Sequence, residues 1–139
     1  MKLKLFIYLL LCMLSYTNSF SQDWILVGNS TENNPYYINS SLLEKDGENI
    51  KIWIKTTFKK KTVSKKTNKT SYITGEDKIL YEFNCVDKML KLIYAIKYNS
   101  LGKLISSFKP EEYEQEWEYV VPDSIGENLL NKACELYNN

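Results

Sequence analysis

Lys59, Lys60, Lys61, Lys65, Lys66 and Lys69 crowd one stretch of the chain, and Glu111, Glu112, Glu114, Glu116 and Glu118 crowd another. A lysine run with no aromatics between its members attracts a polyanion by counterion release but cannot read its sequence or pattern. The acidic run, or Glu82 with Asp87, supplies the residue types for paired-carboxylate work on a glycosidic bond. Nothing in the spacing puts two of these acids into one cleft, so they read as a solvated surface. Histidine is absent, which removes Ser-His-Asp and Cys-His arrangements, zinc helices of the HExxH kind and imidazole proton shuttles. Gly28, Gly47, Gly75, Gly102 and Gly126 are too scattered to cradle a phosphate. No catalytic residue, metal site or cofactor is expected, and the chain reads as a non-enzyme.

The cysteines are Cys12, Cys85 and Cys134, and their fate turns on the first 21 residues. Lys2 and Lys4 form a positive head, Leu5 through Leu14 an apolar stretch, and Thr17 through Ser21 a small, polar exit: the pattern of an export signal cleaved before Gln22. The apolar stretch is too short for a permanent transmembrane span. Leu11 stands where a lipid-accepting cysteine at position 12 needs a small neighbour, so Cys12 is expected to be discarded with residues 1–21 and no lipid to be carried. What remains, residues 22–139, has the length of one domain. In an oxidising compartment its two cysteines read as one disulfide closing a loop of about 50 residues, which chain-entropy bookkeeping values at about 4 kcal/mol. Without Lys2 and Lys4, sixteen basic residues face seventeen acids for a net charge of −1, so global charge points to no partner. Every basic residue is Lys, which removes the bidentate fork of Arg; with export, that argues against a nucleic-acid partner.

Alternation with period two dominates from Trp24 to about Lys109 and predicts strands. They are placed at 24–27, 35–39, 41–45 with a turn at Asp46-Gly47, 50–57, 79–85, 89–98, 103–108 and an edge strand through 117–122. Ile50, Ile52, Ile54 and Thr56 share one face of their strand, and Lys51, Trp53 and Lys55 the other. The lysine segment interrupts without apolar periodicity and predicts a mobile loop or a splayed hairpin tip. Only the end changes period: Ser124 and Glu127 suit a capping box, and Ile125, Leu129, Leu130, Ala133, Cys134 and Tyr137 fall on one side of a 3.6-residue repeat. The expected architecture is α+β, an antiparallel sheet of about six strands with one C-terminal helix packed on it. One helix cannot cover every strand, so a sheet face or an edge is left for a partner.

The order of Trp24, Tyr36-Tyr37-Ile38-Asn39, Ile50-Lys51-Ile52-Trp53-Ile54-Lys55, Tyr81-Glu82-Phe83-Asn84-Cys85, the Tyr98 to Gly102 turn, Pro122 and Cys134 resembles the surface-adhesin protein E family. The likeness spans about residues 24–137. It implies an antiparallel sheet with a C-terminal helix, a structural disulfide between Cys85 and Cys134, a capacity for dimerisation and, for the adhesin that gives the family its name, binding of host matrix and serum proteins.

The expected function is an exported, non-enzymatic binding protein located in the periplasm, at the outer surface or in the medium. Its expected partners are extracellular matrix or envelope proteins, or anionic glycans held by the 59–69 lysines, and a homodimer is allowed. The alternative is a structural or accessory envelope protein that pairs with another component through its sheet edge. Tyr36, Tyr37 and Trp53 are the candidate contact aromatics. For the tyrosines the rival account is alternating burial in a strand; for Trp53 it is packing under the helix or a loop.

Overall fold

The computed structural model describes residues 23–138. The export segment expected at 1–21, its Ser21–Gln22 junction and Cys12 lie outside the described residues. Eight antiparallel strands form one sheet: β1 (Trp24–Asn29), β2 (Pro35–Asn39), β3 (Glu44–Asp46), β4 (Asn49–Val63), β5 (Thr70–Asn84), β6 (Met89–Asn99), β7 (Leu104–Phe108) and β8 (Glu118–Tyr119). Six of them make the continuous path β1-β2-β4-β5-β6-β7, while β3 adds to β4 and β8 to β6. One helix, α1 (Ile125–Asn138), closes the chain. This is the α+β arrangement expected: six strands make the main path, and the segments placed at 41–45 and 117–122 survive as the short β3 and β8 beside it.

Three elements differ from expectation, each for a local reason. The strand expected at 41–45 begins as a 3-10 turn over Ser40–Leu42, because Asn39 Oδ1 accepts from the Ser41 amide at 3.0 Å and from its hydroxyl at 2.8 Å. Such Asx capping bends the chain before it can pair, and the strand moves to Glu44–Asp46, turning back at Gly47 with φ 59°. The edge strand expected at 117–122 contracts to Glu118–Tyr119. The lysine segment takes the hairpin form: β4 and β5 stay in register from Asn49↔Asn84 out to Val63↔Thr70. Thr62, Val63, Thr70, Ile73 and Thr74 favour extended backbone although no apolar stripe runs through them. Thr62 and Ser71 share a hydroxyl hydrogen bond of 2.8 Å across the pair. Only residues 64–69 form the tip, closed by the Asn68 amide on the Ser64 carbonyl at 2.9 Å.

Burial follows the alternation of β4. Ile50, Ile52 and Ile54 are fully buried beside Ile38 of β2 and Phe83 of β5, and Leu129, Leu130 and Ala133 of α1 press on them. The helix starts where Ser124 Oγ accepts from the Glu127 amide at 3.3 Å. The Glu127 carboxylate reaches one residue beyond a strict capping box, accepting from the Asp123 amide at 2.8 Å. At its far end the β3–β4 turn holds α1: Tyr137 donates to the Gly47 carbonyl at 2.7 Å, and Lys45 Nζ donates to the Tyr137 carbonyl and lies 4.6 Å from its ring. Cys134 is bonded to Cys85 at the end of β5, with Cα atoms 5.8 Å apart, so the helix is fixed to the sheet at its middle strands as well as at its ends.

Native, non-reduced protein should therefore offer no thiol to labelling at Cys85 or Cys134. Cys85→Ala and Cys134→Ala should each lower stability by about 2–5 kcal/mol in denaturant titration, the usual cost of removing a disulfide from a small exported domain.

Candidate binding surface

Because α1 lies on one face, the other face of the sheet is covered only at its body end, where the segment 109–117 walls a cleft over Lys51, Glu82 and Lys91 and Trp117 lies on Lys91. Register and alternation place its side chains in rows across the strands. Trp24, the buried Asn39, Trp53, Leu80 and Tyr94 make one row, and Leu26, Tyr37, Lys55, Lys78 and Ile96 the next. A third holds Thr57, Glu76 and Tyr98, after which Lys59 beside Thr74 and Lys61 beside Tyr72 continue onto the hairpin. Beyond Gly75↔Asn99 the hairpin pairs only with itself, so it projects from the body as a two-stranded ribbon.

Lysine and aromatic side chains cover one another here. Lys55 Nζ sits 4.6 Å from the Trp24 ring and 5.0 Å from that of Tyr37. Lys78 lies 5.5 Å from Tyr98, Lys59 4.5 Å from Tyr72, and Lys91 4.6 Å from Trp117. Trp53 meets Tyr94 edge to face at 6.1 Å. The lysine stems shield the rings while their ammonium heads stay in water, a cation–π arrangement that keeps a wet aromatic surface from being merely sticky. A cleft of about 860 Å³ opens where body and hairpin meet, bounded by Pro35, Thr57, Phe58, Lys59, Glu76, Lys78 and Tyr98. At its floor Gly75 is obligatory: a Cβ would stand 2.3 Å from the Tyr98 carbonyl and 2.6 Å from the Phe58 ring.

The acids stay dispersed. Glu82 is buried, paired with Lys91 at 3.0 Å and accepting from Asn49 Nδ2 at 3.1 Å, which commits it to structure. Asp87 is exposed in the β5–β6 turn, and Glu111, Glu112 and Glu114 lie on an exposed 3-10 turn beside a second cleft with Lys51 and Lys91. Among the described residues no group of three or more histidine, cysteine or acidic side chains is placed to hold a metal ion. On the helix side, beyond the end of α1, Asp77 pairs with Lys97 at 3.6 Å while its Oδ1 is buried without a hydrogen-bond partner. Burial pushes the Asp77 carboxyl above its usual 3.8, against the opposing pull of Lys97.

The candidate aromatics separate as strand alternation requires. Tyr36 turns to the helix side and packs against the core, whereas Tyr37 lies on the open face under Lys55. Trp53 is on the open face, half-buried and away from α1. Lys59, Lys60 and Lys61 lie in β4 and alternate between the two sides of the ribbon, and Lys65, Lys66 and Lys69 ring the tip. The structure brings Lys55, Lys78, Trp24, Tyr94 and Tyr98 onto the same face as Trp53 and Lys59, a gathering not legible in the sequence as a whole. The repeating Lys51-Trp53-Lys55 pattern was its one visible signal; the rest depends on cross-strand register.

The sequence model described as surface-adhesin protein E matches residues 24–135. Among solved structures, crystal form II of Haemophilus influenzae protein E superposes with a TM-score of 0.56 at 17% identity, covering 88% of this chain and 94% of that one. A second structure of Haemophilus influenzae protein E gives 0.55 at 19%, over 87% and 89%. At these identities the structural likeness is one of fold. No curated protein sequence matches the chain.

The Asp77 environment gives a signed expectation. A carboxyl whose folded pKa is raised favours the folded state below its unfolded pKa, and that contribution is lost as pH rises through the folded value. Asp77→Asn should therefore melt at a higher temperature than the parent near pH 7, with the gain vanishing below about pH 3.8 in a series of thermal melts.

Proposed function

This chain belongs to the surface-adhesin protein E family, whose members are non-enzymatic surface adhesins, and we propose that it binds acidic extracellular ligands through its open sheet face and the basic hairpin that prolongs it. The observation that carries this reading is the projecting ribbon: lysines on both of its sides and around its tip, and no acidic residue anywhere from 58 to 74. Such a segment raises the local concentration of polyanions and of proteins with acidic patches, at a rate and affinity set by ionic strength. Residues 1–21 act in this proposal as the cleaved export signal that delivers residues 22–139 beyond the cytoplasm, without a lipid at Cys12. No helix among the described residues is long and apolar enough to cross a membrane.

β7 supports a second reading. Its sequence Leu104-Ile105-Ser106-Ser107-Phe108 is exposed throughout and carries no charge, and β6 is its one neighbour in the strand order. An uncharged, exposed edge strand is a template for another strand. Pairing there with a second copy or with another envelope component accommodates the accessory role.

Two experiments follow. Retention on immobilised heparin should fall steeply as salt is raised, and replacing Lys59, Lys60, Lys61, Lys65, Lys66 and Lys69 together with Gln should remove it while moving the thermal midpoint little, since these side chains are exposed. Binding that survives the replacement would sink the hairpin reading. For the edge, Ser106→Pro should convert any self-associated species to monomer in light scattering, because proline cannot donate to a strand ladder. A parent chain that is monomeric at high concentration rules out pairing between copies.

A further inference from the structure

All three tryptophans of the chain stand on the side of the sheet that α1 leaves open: Trp24 and Trp53 by register, and Trp117 over Lys91. From Trp53 outward, the open side of β4 reads Trp53, Lys55, Thr57, Lys59, Lys61, so an aromatic platform leads into a row of lysines, Lys55 leaning toward Trp24 and Tyr37 and Lys59 toward Tyr72. Lys55 to Lys61 spans about 20 Å at the rise of a strand. We propose, resting on the polyanion reading above, that this row is the seat of a linear acidic polysaccharide. One sugar ring lies on the Trp53–Tyr94 row, and its sulfate or carboxylate groups meet Lys55, Lys59 and Lys61 in turn.

Three features select this occupant and this direction. At the body end of the row charge is balanced, with Glu44 opposite Lys51 in register and Glu82, Glu111 and Glu112 walling the adjoining cleft together with Lys51, Lys91 and Lys109, whereas the hairpin carries lysine without acid from 58 to 74, so a polyanion is drawn from Trp53 toward the hairpin. Along that path the acids are Glu76, which Lys78 partners at 3.6 Å, and Glu32, which lines the cleft beside Lys59. The ribbon has no apolar end to enter a lipid surface: the tip from Ser64 to Lys69 is polar, and exposed Val63, Tyr72 and Ile73 are divided between its two sides. A polymer bearing both rings and charges satisfies the aromatic row and the lysine row at once, through apolar contact with a ring face and charge-assisted hydrogen bonds.

The test compares two triple variants that remove the same charge, using a size-defined heparin oligosaccharide and inorganic polyphosphate as the ring-free polyanion. Lys55→Gln/Lys59→Gln/Lys61→Gln should weaken heparin binding by about tenfold more than Lys60→Gln/Lys65→Gln/Lys66→Gln, a difference that charge number alone cannot produce. Trp53→Leu should weaken heparin and leave polyphosphate unchanged, with its thermal midpoint measured alongside; if that variant does not fold, the two lysine triples decide. Equal losses in the two triples, or a Trp53→Leu loss shared by both polymers, would overturn the polysaccharide seat and leave the hairpin reading standing. A parent protein that holds neither polymer at low salt would overturn both.

Discussion

A mismatch of lengths governs this molecule. The helix has 14 residues and β4 and β5 have 15 each, but a helix rises about 1.5 Å per residue and a strand about 3.3 Å. The cover is therefore less than half as long as the strands it lies on. Full burial on β4 stops at Thr56, about where the helix can no longer reach, and past that point the same two strands must satisfy water on both sides. Lysine and threonine beyond position 58 meet that requirement while keeping extended backbone.

The same shortage of cover shapes the open face. A sheet with one helix leaves much of its other face without a second layer, and aromatic residues there would ordinarily invite indiscriminate association. Lysine stems serve as a thin second layer instead: Lys55 spans two rings, and Lys59, Lys78 and Lys91 take one each. Apolar area is shielded by chains whose ends remain hydrated. The surface is thereby both soluble and displaceable, since a ligand with its own anions can draw the ammonium heads outward.

What could be read in the sequence was what local periodicity encodes. The period-two face of Ile50, Ile52 and Ile54 and the change to a 3.6-residue repeat after Ser124 each carry their meaning within a short window, and the layered sheet and helix follow from them; the pair Cys85–Cys134, 49 residues apart, was legible by count, as the two cysteines beyond residue 21. The extent of the hairpin was hidden because a two-stranded ribbon in water needs no apolar stripe; its strand character lies in β-branched residues and in pairing with a distant segment. The open-face rows were hidden for a related reason. Trp24, Trp53, Leu80 and Tyr94 come from four strands, and only register makes them neighbours. Tyr36 and Tyr37 could be split between faces by alternation, but which of them faced the helix depended on the β2–β4 register.

The projecting hairpin also has a mechanical meaning. It is the continuation of β4 and β5, the two innermost strands on the path from β1 to β7, so a pull on its tip enters the domain along the strand axes. Antiparallel ladder bonds run across those axes, and the flanking β2 and β6 resist such a load by many bonds strained together instead of one after another. In the proposed binding mode the ribbon would be a tether whose root lies in the middle of the sheet, an arrangement suited to holding on under shear flow.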